Sequence, residues 1–301
     1  MNAYAGELAA LATSLCWTAT STFFAYASTR VGSLVLNRTR LVLAALFLLA
    51  AHPLLGLPLP FQAEVERWFW LSLSGIVGLT LGDLFLFQTF IWIGARLGML
   101  MMSLAPVIAG VTAWFFLGES LGGLQILGIA VTLTGVVWVV LEGRSRQQGA
   151  PGGERNYWKG ILFGIGAAAG QALGLILAKK GLAGDFPALS GTLMRMLAAT
   201  VAMWLFTTLQ GQAGETIRQL MKERRVFPFI IGGVIAGPFV GVTLSLIAIQ
   251  YSPVGIASTL MALPPVFLLP VGYFVFRERF GPGAVLGTLT AMAGVGLLFL
   301  I

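Results

Sequence analysis

The stretch FFLGESLGGLQILG (residues 115–128) has a counterpart, FVFRERFGPGAVLG (residues 274–287), which begins 159 positions later. Each copy runs from aromatic and apolar residues into a glutamate, Glu119 or Glu278, and then through small residues into an apolar segment. A carboxylate between two apolar segments predicts a turn between helices, where it accepts hydrogen bonds from the free N–H groups of the second helix. We therefore expect a structural role for both glutamates. A proton or cation site is the alternative.

The composition around these copies excludes a water-soluble domain. Of the 301 residues, 57% are hydrophobic and only 10% are charged, and the mean hydropathy is +0.91. Soluble domains carry about 25% charged residues, so the apolar excess needs lipid as its solvent. The net charge of +7 does not indicate a nucleic-acid partner, because the basic residues lie between or at the ends of apolar runs. One cysteine and one histidine exclude a Cys/His metal cluster, and no cofactor is expected.

Ten apolar runs are long enough to cross about 30 Å of hydrocarbon. We place them near residues 4–26, 33–52, 69–92, 97–117, 123–141, 158–179, 187–209, 227–249, 254–276 and 283–301. A polar linker at 142–157 separates a first repeat, 1–141, from a second, 158–301. Residues 210–226 are predicted to form an amphipathic surface segment.

The two repeats keep one register. At a shift of 159, Pro106 aligns with Pro265 and Trp114 with Tyr273, while Arg40 aligns with Arg195 at a shift of 155. The aligned glycines are Gly78 with Gly237, Gly82 with Gly241, Gly128 with Gly287, Gly135 with Gly294 and, at a shift of 154, Gly6 with Gly160. Five spans per repeat is an odd number, so the second repeat would enter the membrane from the opposite side. The sequence predicts an all-α membrane protein of ten transmembrane helices in two inverted five-helix repeats.

Two elements carry a family resemblance: LAPVIAGVTAWFFLGESLGGLQILGIAVTLTGV (104–136) and LPPVFLLPVGYFVFRERFGPGAVLGTLTAMAGV (263–295). With two five-span halves, they resemble the EamA-type carriers of the drug/metabolite transporter superfamily. The resemblance implies a ten-helix carrier in the inner (plasma) membrane that moves a small metabolite, often outward. It also implies a central cavity lined mainly by helices one, three, four, six, eight and nine. Two departures are Gln171, where Trp17 would recur, and Arg277, which replaces the glycine before the second glutamate.

Ionisable residues inside a span are costly and indicate a site. Asp83 is the strongest candidate, because it lies well inside the third span with Phe87 one turn later on the same face. Such a carboxylate could hold an ammonium group, take a proton, or be satisfied by a neighbouring hydroxyl or arginine. Arg40 and Arg195 lie near the starts of the second and seventh spans. The pattern favours snorkelling to the headgroups, and binding of a substrate carboxylate is the alternative.

Aromatic and amide side chains complete the candidate substrate site. Trp17 and Gln171 would face each other if both point inward, and Trp114 is either a site residue or part of an interfacial belt. Pro106 and Pro265, with the two glutamates, are candidate structural residues. Glycine stripes such as Gly75, Gly78 and Gly82 are predicted packing faces.

These features favour a secondary transporter, an exporter of small metabolites such as amino acids or amphipathic compounds, working by alternating access. The expected partners are a small-molecule substrate, the lipid bilayer, and a coupling proton or counter-substrate; the chain would be a monomer or homodimer. An intramembrane enzyme and a non-transporting scaffold or sensor are alternatives, but there is neither an ATP-binding loop nor a nucleophile–base set. Fourteen of the eighteen basic residues fall on one side of the ten-span topology, which predicts both termini outside, whereas the resemblance implies cytoplasmic termini.

Overall fold

The computed structural model describes residues 4–117, 122–147, 153–184, 186–252, 254–274 and 281–297, and within these ranges the protein is helical without strands. The helices are α1 (Ala5–Leu54), α2 (Val65–Met102), α3 (Leu104–Leu117), α4 (Gly123–Gln147), α5 (Gly153–Gly181), α6 (Ala188–Leu209), α7 (Ala213–Lys222), α8 (Arg224–Tyr251), α9 (Val254–Met261), α10 (Pro264–Phe274) and α11 (Pro282–Leu297). Among the described residues, six of these helices are long and apolar enough to cross a membrane: α1, α2, α4, α5, α6 and α8.

Helix α1 is 50 residues long, and it doubles back at Gly32. The backbone there has φ 80° and ψ 159°, a conformation that glycine adopts without a Cβ clash. Phe24 packs on the ring of Phe87, and Arg40 lies over the same ring. In a straight helix these two residues would be about 24 Å apart. The first arm of α1 (5–31) and its second arm (33–54) therefore form a hairpin, joined by one residue where the sequence predicted a loop.

Helix α2 contains two irregularities. It is π-helical from Gly75 to Gly82, and it bends sharply at Gly94, where φ is 80° and ψ is 168°. The π-helical segment of α8, Ile235–Gly241, ends at the position that corresponds to Gly82 after a shift of 159. A π-helical turn inserts an extra residue into the helix and is often found at functional sites. The two π-helical segments therefore occur where the two repeats align in sequence.

Glycines bring helices of the first repeat into close contact with helices of the second repeat. A Cβ built on Gly170 of α5 would lie 2.8 Å from the Cα of Gly82, and one built on Gly174 would lie 3.0 Å from the Cα of Gly78. The helices α2 and α5 therefore run in opposite directions at backbone contact. The first arm of α1 and α8 pack in the same way, with Gly241 against Cys16 and Gly237 against Thr20. Under the shift of 159, Gly82 and Gly78 correspond to Gly241 and Gly237, and under the shift of 154, Gly170 and Gly174 correspond to Cys16 and Thr20. The second pair of contacts is therefore the repeat of the first pair. The prediction that the stripes are packing faces is confirmed.

Helices α4 and α11 also pack in opposite directions through small residues. Gly135 lies against Gly287 and Ala291, and Gly294 lies against Gly128 and Thr132. Gly287 is the counterpart of Gly128, and Gly294 is the counterpart of Gly135. The contact between Gly135 and Gly287 therefore corresponds to the contact between Gly294 and Gly128, with the two helices exchanged. This is the pattern expected at a two-fold axis.

The second arm of α1 packs beside α6, its counterpart in the second repeat. The imidazole Nε2 of His52 is 3.1 Å from the Ser190 hydroxyl, and the Trp204 indole donates to the backbone oxygen of Arg38 at 3.4 Å. These contacts place the two helices antiparallel. His52 is fully buried at this contact.

The predicted amphipathic segment is confirmed as helix α7. Its apolar residues Ile217 and Met221 are exposed, and the Arg38 guanidinium donates to Thr216 at 2.8 Å and to Gln212 at 2.7 Å. This places the helix against the end of the bundle. Helix α4 continues to Gln147 and α5 begins at Gly153, so both helices extend into the segment 142–157.

Candidate functional site

A cavity of about 550 Å³ lies between the two halves of the chain. Its first-half lining includes Trp17, Thr20, Phe24, Arg40, Asp83, Phe87, Phe90, Met99 and Pro106. Its second-half lining includes Gln171, Lys179, Lys180, Arg195, Gly237, Val242, Ser245, Met261 and Pro264. Most of these side chains are apolar, and the volume is that of a site for a small organic molecule.

The cavity reaches the surface at the end of α5. Lys179 and Lys180 line it there, and both are exposed. Lys180 lies over the indole ring of Trp70, with Nζ 4.5 Å from the ring centre. Phe24 and Phe90, which also line the cavity, are buried. The lining therefore runs from exposed lysines to side chains inside the bundle.

An ion pair between α1 and α2 forms one wall. Arg40 donates from Nη2 to the Asp83 carboxylate at 2.5 Å, and its side chain is 2% exposed, against 17% for Asp83. The same guanidinium donates from Nη2 to the Leu79 backbone oxygen at 2.8 Å and from Nε to the Asn37 side-chain oxygen at 2.9 Å. Buried charges persist in apolar surroundings only when such partners satisfy them.

The π-helical turn explains why a backbone oxygen is available to Arg40. Leu79 lies inside Gly75–Gly82, where the widened helix leaves carbonyl groups without their usual i+4 partners. The side-chain amide of Asn37 donates a hydrogen bond to another carbonyl of this turn, that of Thr80, at 3.0 Å. The irregular turn of α2 is thus joined to the second arm of α1 by two side-chain hydrogen bonds. It fixes the position of Asp83, the residue that follows it.

Aromatic rings surround this pair. The Phe24 and Phe87 ring centres are 5.3 Å apart, edge to face, and those of Phe87 and Phe90 are 6.1 Å apart. The Arg40 guanidinium carbon is 5.0 Å from the Phe87 ring centre, within cation–π range. The cavity therefore offers an aromatic wall next to charged groups.

The prediction that Arg40 and Arg195 snorkel to the headgroups is wrong. Both side chains are 2% exposed and line the cavity. The sequence places each about two turns from the start of its span, but the hairpin at Gly32 and the close approach of α2 to α6 enclose them. Gly75 contacts the Arg195 backbone, so no lipid reaches this face of α6.

The structure brings together most of the predicted site residues. Trp17, Asp83, Phe87 and Gln171 all line the cavity, as does Pro106. Pro265 is buried beside Pro264, which lines the cavity. Trp114 lies in α3, with its side chain outside the described part of the structure, and Glu119 and Glu278 lie outside the described residues.

Several lining residues carry no signal that sequence reasoning could use. Phe24, Met99 and Met261 resemble ordinary span residues, and only their position in three dimensions makes them part of the cavity. The second and seventh spans, which the resemblance did not include in the cavity wall, contribute Arg40 and Arg195. The repeat register was an available signal, because these two arginines align with each other.

Two other polar groups lie away from the deepest part of the cavity. The Ser252 hydroxyl donates to the Glu7 carboxylate at 3.0 Å, which joins α1 to the end of α8. Glu7 is half-buried at this contact. Within the described ranges, no group of three His, Cys, Asp or Glu side chains could hold a metal ion.

The profile of the EamA-like transporter family matches residues 4–141 and 158–300. The chain belongs to the EamA-like transporter family. This EamA-like chain is therefore a multi-pass membrane protein of a transporter family, with the two-repeat architecture of that family. A solved structure titled "Crystal structure of protein" has a TM-score of 0.68 to it and 16% sequence identity, over 97% of this chain and 95% of that one. That likeness concerns the fold alone. No curated protein matches the chain.

Proposed function

We propose that this protein is a secondary transporter that exports small metabolites, such as amino acids or amphipathic compounds, across the inner (plasma) membrane by alternating access. The observation that carries the proposal is the cavity lined by both repeats, which extends from the exposed Lys179 and Lys180 to the buried Phe24 and Phe90. A carrier needs such a site, which each side of the membrane can reach in turn. The cavity presents a substrate with an apolar wall and a few charged groups.

The proposed membrane arrangement has ten spans in two inverted halves. Its support is the antiparallel packing of corresponding helices: α4 with α11, and the second arm of α1 with α6. The exchanged glycine contacts, Gly82 with Gly170 and Gly241 with Cys16, agree with the same two-fold relation. Rocking of the α2–α5 pair against the pair formed by the first arm of α1 and α8 would close the cavity at the end of α5 and open it at the opposite end.

The proposed substrate site comprises Trp17, Asp83, Phe87, Trp114, Gln171, Arg40 and Arg195. Among these, the aromatic rings would contact the apolar part of a substrate, and Gln171 would supply a hydrogen-bonding amide. Asp83 already has Arg40 as its partner, so a proton or cation would have to displace that arginine. A coupling proton and a counter-substrate therefore both remain proposed partners.

Filling the cavity without altering the outer surface tests the carrier. Ala109 lines the cavity, whereas Leu286 is exposed on the outer face of α11. Cells that overproduce the protein should lower the internal level of one or more metabolites, and A109W should abolish this change. The matched variant L286W adds the same indole on the outside and should behave like the wild type.

Metabolites whose levels fall would then be tested for counterflow in proteoliposomes that contain the purified protein. Equal activity of A109W and the wild type would exclude this cavity as the transport path. A complete absence of counterflow, with the protein folded, would favour the scaffold or sensor alternative.

A further inference from the structure

Arg195 is a buried cation that forms no ion pair in the described part of the chain, and the Asp83 charge acts on it only from beyond ion-pair distance. Its side chain is 2% exposed, it lines the cavity, and its Nε has no hydrogen-bond partner. Within the described part of the chain, no carboxylate lies within ion-pair distance of its guanidinium. A buried charge in lipid-embedded protein is ordinarily paired, so an unpaired guanidinium at a cavity wall indicates a group supplied from outside.

Comparison of the two repeats shows which partner Arg195 lacks. Arg40, the counterpart of Arg195, is satisfied by Asp83, Asn37 and the Leu79 backbone. At the shifts of 159 and 155, Asp83 corresponds to Val242 and Asn37 corresponds to Thr192. The Thr192 hydroxyl is used on the Ala188 backbone oxygen at 2.9 Å, and Val242 lines the cavity with an apolar side chain. The second repeat thus keeps the arginine and lacks the carboxylate.

The charged side chains that line the cavity sum to a positive charge, as Arg195 alone would suggest. Among the described residues, four cations line it against one carboxylate. The cations are Arg40, Lys179, Lys180 and Arg195, and the carboxylate is Asp83. Since Arg40 and Asp83 neutralise each other, the unbalanced charge is positive both at the mouth and at the deep site. Such a field concentrates anions and disfavours cations.

We propose, on the basis of the carrier function above, that the substrate is an organic monoanion with a carboxylate on an apolar body. The carboxylate binds the Arg195 guanidinium, at the place where the repeat lacks its second aspartate. Arginine offers two parallel N–H groups to a carboxylate, so this pairing also fixes the orientation of the substrate. The apolar body lies against the aromatic wall formed by Phe24, Phe87 and Phe90. An amino acid zwitterion fits less well, because its ammonium group meets a carboxylate already bound to Arg40.

Three probes that share a phenyl body and differ in charge test the proposal. They are 3-phenylpropanoate, an anion; L-phenylalanine, a zwitterion; and 2-phenylethylamine, a cation. Binding to the purified full chain in detergent is measured by calorimetry and by ligand-induced change in thermal stability. We expect 3-phenylpropanoate to bind at least about tenfold more tightly than 2-phenylethylamine, which lacks the carboxylate and so loses a charged hydrogen bond. It should also bind more tightly than L-phenylalanine, whose ammonium group would enter a cavity of positive charge.

Two variants locate the binding to Arg195. R195Q should weaken 3-phenylpropanoate binding by about 10- to 100-fold. Because this variant could also disturb folding, V242D provides a second test, in which the chain itself supplies the missing carboxylate to Arg195. V242D should remain folded and lose the anion to the same extent, whereas I217D, which adds the same charge on the exposed face of α7, should retain it.

The outcomes separate this inference from the carrier proposal. Binding of 3-phenylpropanoate that depends on Arg195, without counterflow in proteoliposomes, supports the anion site and contradicts the carrier. Counterflow of L-phenylalanine that is unaffected by V242D supports the carrier and overturns the anion site. No binding of 3-phenylpropanoate at millimolar concentration, or equal binding by the wild type and V242D, also overturns it.

Discussion

Removal of the Asp83 charge should destabilise the protein, because it leaves the Arg40 guanidinium buried without a counter-ion. Loss of one partner of a buried ion pair costs about 3–5 kcal/mol. In D83N the guanidinium keeps its bonds to Asn37 at 2.9 Å and to Leu79 at 2.8 Å, so we expect the lower end, about 3 kcal/mol. For a chain of this size that corresponds to a fall in melting temperature of about 6 °C.

The assay is a double-mutant cycle of D83N and R40Q, read as melting temperature in one detergent. R40Q alone leaves the Asp83 carboxylate buried and should cost a similar amount. The double variant removes both charges, so it should be destabilised by clearly less than the sum of the single variants, with a coupling of about 1–3 kcal/mol.

An exposed ion pair on α7 provides the control. Arg218 and Glu215 approach to 3.7 Å with side chains 81% and 61% exposed. Exposed pairs contribute about 0–1 kcal/mol, so E215Q should leave the melting temperature nearly unchanged. Additive costs for D83N and R40Q, or a D83N melting temperature equal to that of the wild type, would refute the assignment of a buried, mutually dependent pair.

Three further changes follow from other contacts. G82L should prevent stable folding, because its side chain would meet the backbone of α5. G123L is the control, because a Cβ at Gly123 meets nothing within 4 Å, and it should express normally. Fluorescence size-exclusion profiles compare the two variants. T216V removes an acceptor from the buried Arg38 guanidinium and should lower the stability by about 1–3 kcal/mol, seen as a lower melting temperature, while a conservative T216S should restore it. A reporter fused after Ile301 should be active outside the cytoplasm, as the distribution of basic residues predicts, and cytoplasmic activity would show that the family orientation applies.

Much of the architecture was available from periodicity and repetition. The apolar runs correspond closely to the helices, and the glycine register predicted which helix faces meet, because in lipid only small residues allow backbones to touch. The number of separate helices was not predictable in the same way. The bends at Gly32 and Gly94 depend on two backbone conformations, and the sequence around them continues as apolar and helical as before.

The candidate site was predicted less completely than the fold. Asp83 stood out because a carboxylate inside a span is rare, and its ring neighbour Phe87 followed from helical spacing. The burial of Arg40 and Arg195 was missed, because distance from the start of a span does not show whether a neighbouring helix covers the side chain. Comparison of the repeats at Asp83 and Val242 was possible from the sequence, but its meaning depends on the contact between Asp83 and Arg40.

The single-residue junction at Gly32 has a consequence for biosynthesis. Two long helices that share one glycine leave no loop between them, so we expect them to enter the bilayer together and not as independent units. They would enter as a preformed pair, with Thr29 and Arg30 at the exposed tip. An epitope or protease site inserted between them should be tolerated poorly, and any insertion there should interfere with integration of the chain before it affects transport.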